Sequence, residues 1–147
     1  MIVTVDLGKR KAGAATFEDR TLQRASVVRE DGGPQAMAKA LFSWAKAPEG
    51  TVWVVEVPQK YRGRGVKHKD LDALLEVLDA LEALVGPAVR YTPWQWKGNV
   101  PKAVMKDRLQ DQGLLPDWAL ALGHDALDAI GLGFFYLGLT GKGGARL

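Results

Sequence analysis

The stretch Thr51-Val52-Trp53-Val54-Val55-Glu56-Val57 constrains the fold more than any other part of the chain. β-Branched and aromatic residues fill it and Pro58 stops it, so it gives the strongest strand signal in the sequence. Two-residue alternation puts Glu56 on the same face as Val52 and Val54. A carboxylate therefore points where its neighbours predict burial, which is costly unless it is paired, hydrogen-bonded or bound to metal. A second apolar run, Met1-Ile2-Val3-Thr4-Val5, ends the same way at Asp6, with Ile2, Thr4 and Asp6 on one face.

The remaining pattern builds a sheet around these two runs. Residues 12–18 and 21–29 read as strands joined by a short hairpin link, Glu18-Asp19-Arg20. Residues 34–46 have helical spacing and end at Ala47-Pro48-Glu49-Gly50. Residues 69–85 form a helix with an apolar face of Leu71, Leu74, Leu75, Leu78, Leu81, Leu84 and Val85. Residues 88–92 read as a short last strand. A segment opened by Thr92-Pro93 then carries Trp94, Trp96 and Lys97. Residues 100–112 predict a helix with Pro101 in its first turn. Residues 122–138 predict a final helix, apolar on most sides and so laid against the sheet. Hairpin-linked strands followed by strand–helix alternation predict an α/β fold, a mixed five-stranded sheet flanked by helices. The expected organisation is one domain over residues 1–140, with 141–147 as a flexible tail around Gly141-Lys142-Gly143-Gly144.

Composition narrows the chemistry. The chain has 147 residues, 47% hydrophobic and 25% charged, enough for one domain with a real core. It has no cysteine, which excludes disulfides, a thiolate nucleophile and a Cys-based zinc site. Its two histidines, His68 and His124, exclude a His-rich zinc site. No apolar run is long enough to span a membrane, and the start lacks the basic region of a signal peptide, so a cytoplasmic protein without a membrane partner is expected. A net charge of +3 and a pI near 9.2 permit nucleic-acid binding without establishing it. The distribution says more. Lys9, Arg10 and Lys11 directly follow Asp6. Lys60, Arg62, Arg64, Lys67 and Lys69 follow Glu56. Lys97, Lys102, Lys106 and Arg108 precede the final helix.

Two further acids, Asp125 and Asp128, stand three residues apart on that helix in His124-Asp125-Ala126-Leu127-Asp128-Ala129. Each acid alone has a duller explanation. Asp6 before Gly8 suits a turn. Glu56 could pair with an arginine or lysine. Asp125 suits the positive end of its helix, an account that serves Asp128 poorly. His124 could cap the helix, pair with Asp128 or ligate metal. Together the four acids suit divalent cations that prefer oxygen ligands, magnesium or manganese rather than zinc. Phosphodiester hydrolysis needs an activated water and a stabilised leaving oxygen, and two such ions about 3.5–4 Å apart supply both.

The chain resembles the RuvC-like Holliday junction resolvases of the RNase H-like superfamily. The resemblance is carried by Val3-Thr4-Val5-Asp6-Leu7-Gly8, by Val54-Val55-Glu56-Val57-Pro58 and by Asp125-Ala126-Leu127-Asp128-Ala129. The connector Thr92-Pro93-Trp94-Gln95-Trp96-Lys97-Gly98 before Val100-Pro101-Lys102 also looks like that of phage and bacterial members. The resemblance implies an RNase H-like nuclease domain that resolves four-way DNA junctions by paired symmetric nicks. It implies Asp6 as the acid bridging two Mg2+ or Mn2+ ions, Glu56 as a ligand that orients the attacking water, and Asp125 and Asp128 completing the set. Some members carry a histidine aligned with Asp125, which leaves the role of the adjacent His124 open. Lys102 matches a basic position near the scissile phosphate. The resemblance further implies a homodimer, with the loop after Glu56 meeting the junction centre.

Around such a site, Lys9, Arg10, Lys60, Arg62, Arg64, Lys67 and Lys97 are the expected phosphate contacts. Tyr61 is the candidate for stacking on an unpaired base, against the alternative of a plain surface tyrosine. Trp94 and Trp96 either pack on the core or contact DNA. The apolar helix 69–85 is the expected dimer surface unless all its leucines bury within one subunit. Other functions are weighed on the same residues. An RNA–DNA hybrid or branched-DNA nuclease would share the fold. An actin- or sugar-kinase-like ATP site would also begin with a strand and Asp-x-Gly, but the chain is short for two lobes and lacks a later glycine-rich phosphate loop, so no nucleotide cofactor is expected. A non-catalytic nucleic-acid adaptor would have no use for four acids beside phosphate.

Overall fold

The computed structural model describes residues 1–58 and 68–147. Three strands open the chain: β1 (Ile2–Asp6), β2 (Lys11–Glu18) and β3 (Thr21–Arg29). After α1 (Pro34–Ala45) come β4 (Val52–Glu56), α2 (His68–Val85) and β5 (Val89–Tyr91). A one-turn helix α3 (Pro93–Trp96), then α4 (Lys102–Asp111) and α5 (His124–Tyr136), complete the fold, with short 3-10 turns at Asp117–Ala119 and Lys142–Gly144.

The sheet order is β3-β2-β1-β4-β5. β1 pairs antiparallel with β2 and parallel with β4, and β4 pairs parallel with β5. This is the mixed five-stranded sheet that the sequence predicts. The β2–β3 hairpin turns on Asp19 and Arg20, whose φ of 47° and 66° match the positive values a tight two-residue hairpin turn needs.

Alternation along the strands divides the molecule into two cores. Val3 and Val5 of β1 and Trp53 and Val55 of β4 face α1 and α2, where Met37, Leu41, Val77, Leu78 and Leu81 meet them. The opposite face carries Val54, Ala15 and Phe17 against α4 and α5. Asp6 and Glu56 belong by alternation to this second face. α5 is buried continuously from Ala126 to Phe134, which explains why its apolar residues run round most of its circumference.

The structure differs from expectation at two places. Pro101 stands at the N-cap of α4 rather than inside its first turn. Within the expected tail, Gly143 and Gly144 are buried, Arg108 donates to the Gly143 carbonyl at 3.0 Å and Gln112 donates to the Gly144 carbonyl at 2.7 Å, while Arg146 and Leu147 are exposed. These bonds tie the tail to α4. Among the described residues no helix is long and apolar enough to cross a membrane.

Candidate active site

Register brings the first two acids together. Asp6 and Glu56 are Cα partners across the parallel β1–β4 pair, so both leave the sheet at the same level and on the same face. On its other side Asp6 is the register partner of Gly13 in β2. A Cβ built on Gly13 would lie 1.8 Å from the Asp125 carbonyl oxygen. Only glycine lets α5 settle this close to the strand, and the contact sets the first turn of α5 beside Asp6. Two residues before Asp6, the buried Thr4 hydroxyl donates to the Ala129 carbonyl at 2.6 Å. These two contacts fix α5 across β1 and deliver Asp125 and Asp128 to the strand ends.

Electrostatics reports the convergence. The Asp6 carboxyl is raised well above its ordinary range, first by burial and then by the charges of Glu56, Asp128 and Asp125, with Lys97 opposing. The Glu56 carboxyl is raised by burial and by Asp128, against the lowering effects of Lys97, a hydrogen bond from Trp96, and Lys102. Four carboxylates thus crowd one place, an arrangement a bound cation would relieve.

Basic groups partly answer that charge. Lys97 Nζ lies 3.1 Å from Asp128 Oδ2, and Lys102 Nζ lies 3.9 Å from the same oxygen. Lys11 Nζ lies 3.5 Å from Asp125 Oδ2. Lys97 therefore sits within the acidic cluster. Lys102 stands half-exposed at the start of α4, at the edge of the cluster.

His124 is the exposed first residue of α5, and Gly123 occupies the N-cap, so the histidine does not cap the helix. Lys9 is held by Asp70 of α2 at 2.6 Å, and Arg10 is exposed. Lys60, Tyr61, Arg62, Arg64 and Lys67 lie outside the described residues.

The two tryptophans of the connector part company. Trp96 is buried in the second core, and its indole Nε1 donates to Glu56 Oε2 at 2.9 Å. Trp94 is half-exposed, with Lys142 Nζ 4.0 Å from its ring centre. The sequence leaves Trp96 as core or DNA contact and gives no sign of its bond to a site acid; the capping pattern Thr92-x-x-Gln95 fixes only the turn that carries it.

The donor set fits a hard divalent cation: four carboxylates, no thiolate, and a strongly raised Asp6. In the present side-chain positions no three acidic or histidine groups among the described residues close on a common point as ligands would. Ligation calls for side-chain adjustment, with the Lys97–Asp128 pair the contact most directly concerned.

No family model and no curated protein sequence matches the chain. Solved structures do match it, among them two that align along nearly its whole length. One is T. thermophilus RuvC in complex with Holliday junction substrate, with a TM-score of 0.60 and 21% identity over 97% of this chain and 99% of that one. Another is the Thermus thermophilus RuvC structure, with a TM-score of 0.54 and 21% identity over 96% of this chain and 98% of that one. The chain has the RuvC fold. The RNase H-like architecture that the resemblance implies is therefore the one observed. Within this RuvC-like frame, acids from β1, β4 and α5 meet on one face of the sheet at the ends of β1 and β4.

Proposed function

We propose that this chain is a metal-dependent, structure-selective endodeoxyribonuclease that resolves four-way DNA junctions by paired symmetric nicks. The observation that carries the reading is the crowding of Asp6 by Glu56, Asp128 and Asp125, on a fold shared with a protein solved on a Holliday junction. Structural asparagines or threonines would complete such a strand-end pocket at far lower cost than four carboxylates.

Asp6, Glu56, Asp125 and Asp128 are the residues that would hold two Mg2+ or Mn2+ ions, with His124 as a further ligand candidate at the first turn of α5. Bound there, such ions supply Lewis acidity and an activated water. Asp6 would be the central ligand, and Glu56 would bind and orient the attacking water. Lys102, at the rim, and Lys97, within the cluster, present ammonium groups to the scissile phosphate and its developing charge. Lys9, Arg10, Lys60, Arg62, Arg64 and Lys67 hold the phosphate backbone, and Tyr61 stacks at the junction centre.

Paired nicking calls for two copies of the site, so the reading includes a homodimer with two-fold symmetry. Leu71, Val77, Leu78 and Leu81 of α2 are consumed within the chain, whereas Leu74 and Leu75 are half-buried and Leu84 is exposed. These last three are the α2 residues left for a partner. The setting is the cytoplasm of a bacterial or phage-infected cell.

The test is cleavage of a synthetic four-way junction beside linear duplex and RNA–DNA hybrid, with Mg2+ or Mn2+. Preferential junction cleavage supports the reading. Equal or better cleavage of hybrid assigns the site to another RNase H-like substrate.

A further inference from the structure

Among the described residues Glu56 has one partner that is neither an acid nor a cation. Trp96 Nε1 donates to its Oε2 at 2.9 Å, and the tryptophan is 1% exposed. An indole N–H is a donor only and carries no charge. It can hold a carboxylate oxygen without neutralising it and without offering an alternative acceptor.

The ring is fixed from several sides. A Cβ built on Gly131 of α5 would lie 3.0 Å from Cζ3 of Trp96 and 3.7 Å from Met105 Sδ of α4. The absence of a side chain at Gly131 is what admits the indole between α4 and α5. The turn that carries Trp96 is fixed as well. Gln95 N donates to Thr92 Oγ1 at 3.4 Å, Thr92 N donates to Gln95 Oε1 at 2.8 Å, and Lys97 N donates to the Pro93 carbonyl at 2.8 Å. Just upstream, the Tyr91 carbonyl accepts from Val57 N at 2.8 Å, which anchors the segment to the residue after Glu56. The connector therefore starts beside Glu56 and returns to it through the indole.

We propose that Trp96 is a positioning residue, which holds the Glu56 carboxylate in one rotamer through Oε2 and leaves Oε1 as its available ligand atom. The inference rests on the nuclease reading of the site. Groups that orient ligating carboxylates this way typically matter by about 10–100-fold in metal affinity or activity. A tryptophan that served packing alone would affect stability and leave both unchanged.

The experiment compares Trp96→Phe with wild type and with Trp44→Phe, a control on α1 at the opposite face of the sheet. Mn2+ affinity is measured by calorimetry on protein without DNA, and kcat and KM on a four-way junction at saturating Mg2+. Trp96→Phe is expected to weaken Mn2+ binding and lower kcat by about tenfold or more, with KM for the junction within about twofold and Trp44→Phe like wild type. In wild-type protein the Trp96 indole N–H resonance is expected to move on Mg2+ addition, and to shift in Glu56→Gln as the charged acceptor is removed. That measurement decides the matter if Trp96→Phe fails to fold. Wild-type Mn2+ affinity and kcat in a folded Trp96→Phe, or an indole resonance indifferent to both Glu56→Gln and Mg2+, overturns the positioning role and leaves the nuclease reading standing. A wild-type protein inert on every nucleic acid offered overturns the nuclease reading itself and the inference with it.

Discussion

Lys97 Nζ and Asp128 Oδ2 form an ion pair at 3.1 Å with both side chains largely withdrawn from solvent, at 15% and 7% exposure. The pair lies inside the proposed metal site. Removing one partner of a buried pair strands the other charge, at a cost of about 3–5 kcal/mol. Lys97→Met is therefore expected to lower thermal stability in chelator, and the double variant Lys97→Met/Asp128→Asn to recover much of the loss. Mg2+ should stabilise Lys97→Met more than wild type, because it would replace the missing cation. Melting curves of wild type, both single variants and the double variant, with and without Mg2+, check this. Additive effects of the two substitutions would count against a coupled pair.

Asp6 gives a pH dependence with a definite sign. Its folded-state carboxyl is raised, chiefly by burial and by neighbouring acids. Such a group contributes stability below the ordinary Asp range near about 3.9, and that stability is lost as pH rises through the folded value. At neutral pH the buried, crowded Asp6 carboxyl is therefore a cost to the fold. Asp6→Asn should melt higher than wild type at pH 7 without metal, by about 2–4 °C for each kcal/mol relieved. The gap should close as both proteins are taken down towards pH 4. A variant less stable than wild type at pH 7 would contradict the crowding of the four acids.

Gly13→Ala tests the contact that seats α5. The new Cβ would meet the Asp125 carbonyl at 1.8 Å, and backbone on both sides cannot rotate away. The expected cost is at least about 1–3 kcal/mol, as for overpacking in a core. Activity should fall further than stability explains, because the displaced turn carries Asp125. Denaturant unfolding together with cleavage at matched folded fraction separates the two effects.

The basic residues make a quantitative claim about salt. Alanine replacement of any of Lys9, Arg10, Lys60, Arg62, Arg64 or Lys67 that holds a phosphate should reduce the slope of log affinity against log salt by about 1. Binding titrations over a range of salt concentrations check this. A fourfold alanine variant with affinity and slope both unchanged would remove that surface from the DNA path.

The sheet and the four acids were legible because each depends on a local pattern. Alternation groups Asp6 with Ile2 and Thr4 and Glu56 with Val52 and Val54, and the i, i+3 spacing puts Asp125 and Asp128 on one side of a helix. Their meeting was legible only through the resemblance, since it depends on Gly13 and Thr4 receiving α5, contacts made across more than a hundred residues of chain. The bond from Trp96 to Glu56 spans forty residues and was not legible, since a buried tryptophan and a tryptophan facing DNA share one local pattern. Lys97 reads as one member of a basic cluster, and only the fold turns it inward to Asp128. The docked tail escaped because glycines signal flexibility locally, whereas here their lack of side chains lets the chain lie against α4.

A metal site built on Asp6 and present twice in a dimer should make two coordinated incisions in a four-way junction. The most direct measurement is cleavage of a supercoiled cruciform plasmid by wild type and Asp6→Asn, in Mg2+ and in chelator. Wild type is expected to give mostly linear product, from two nicks made within one binding event, and none in chelator. Asp6→Asn is expected to bind the junction and not to cut it. Nicked circles alone from wild type, or linear product from Asp6→Asn, would contradict that expectation.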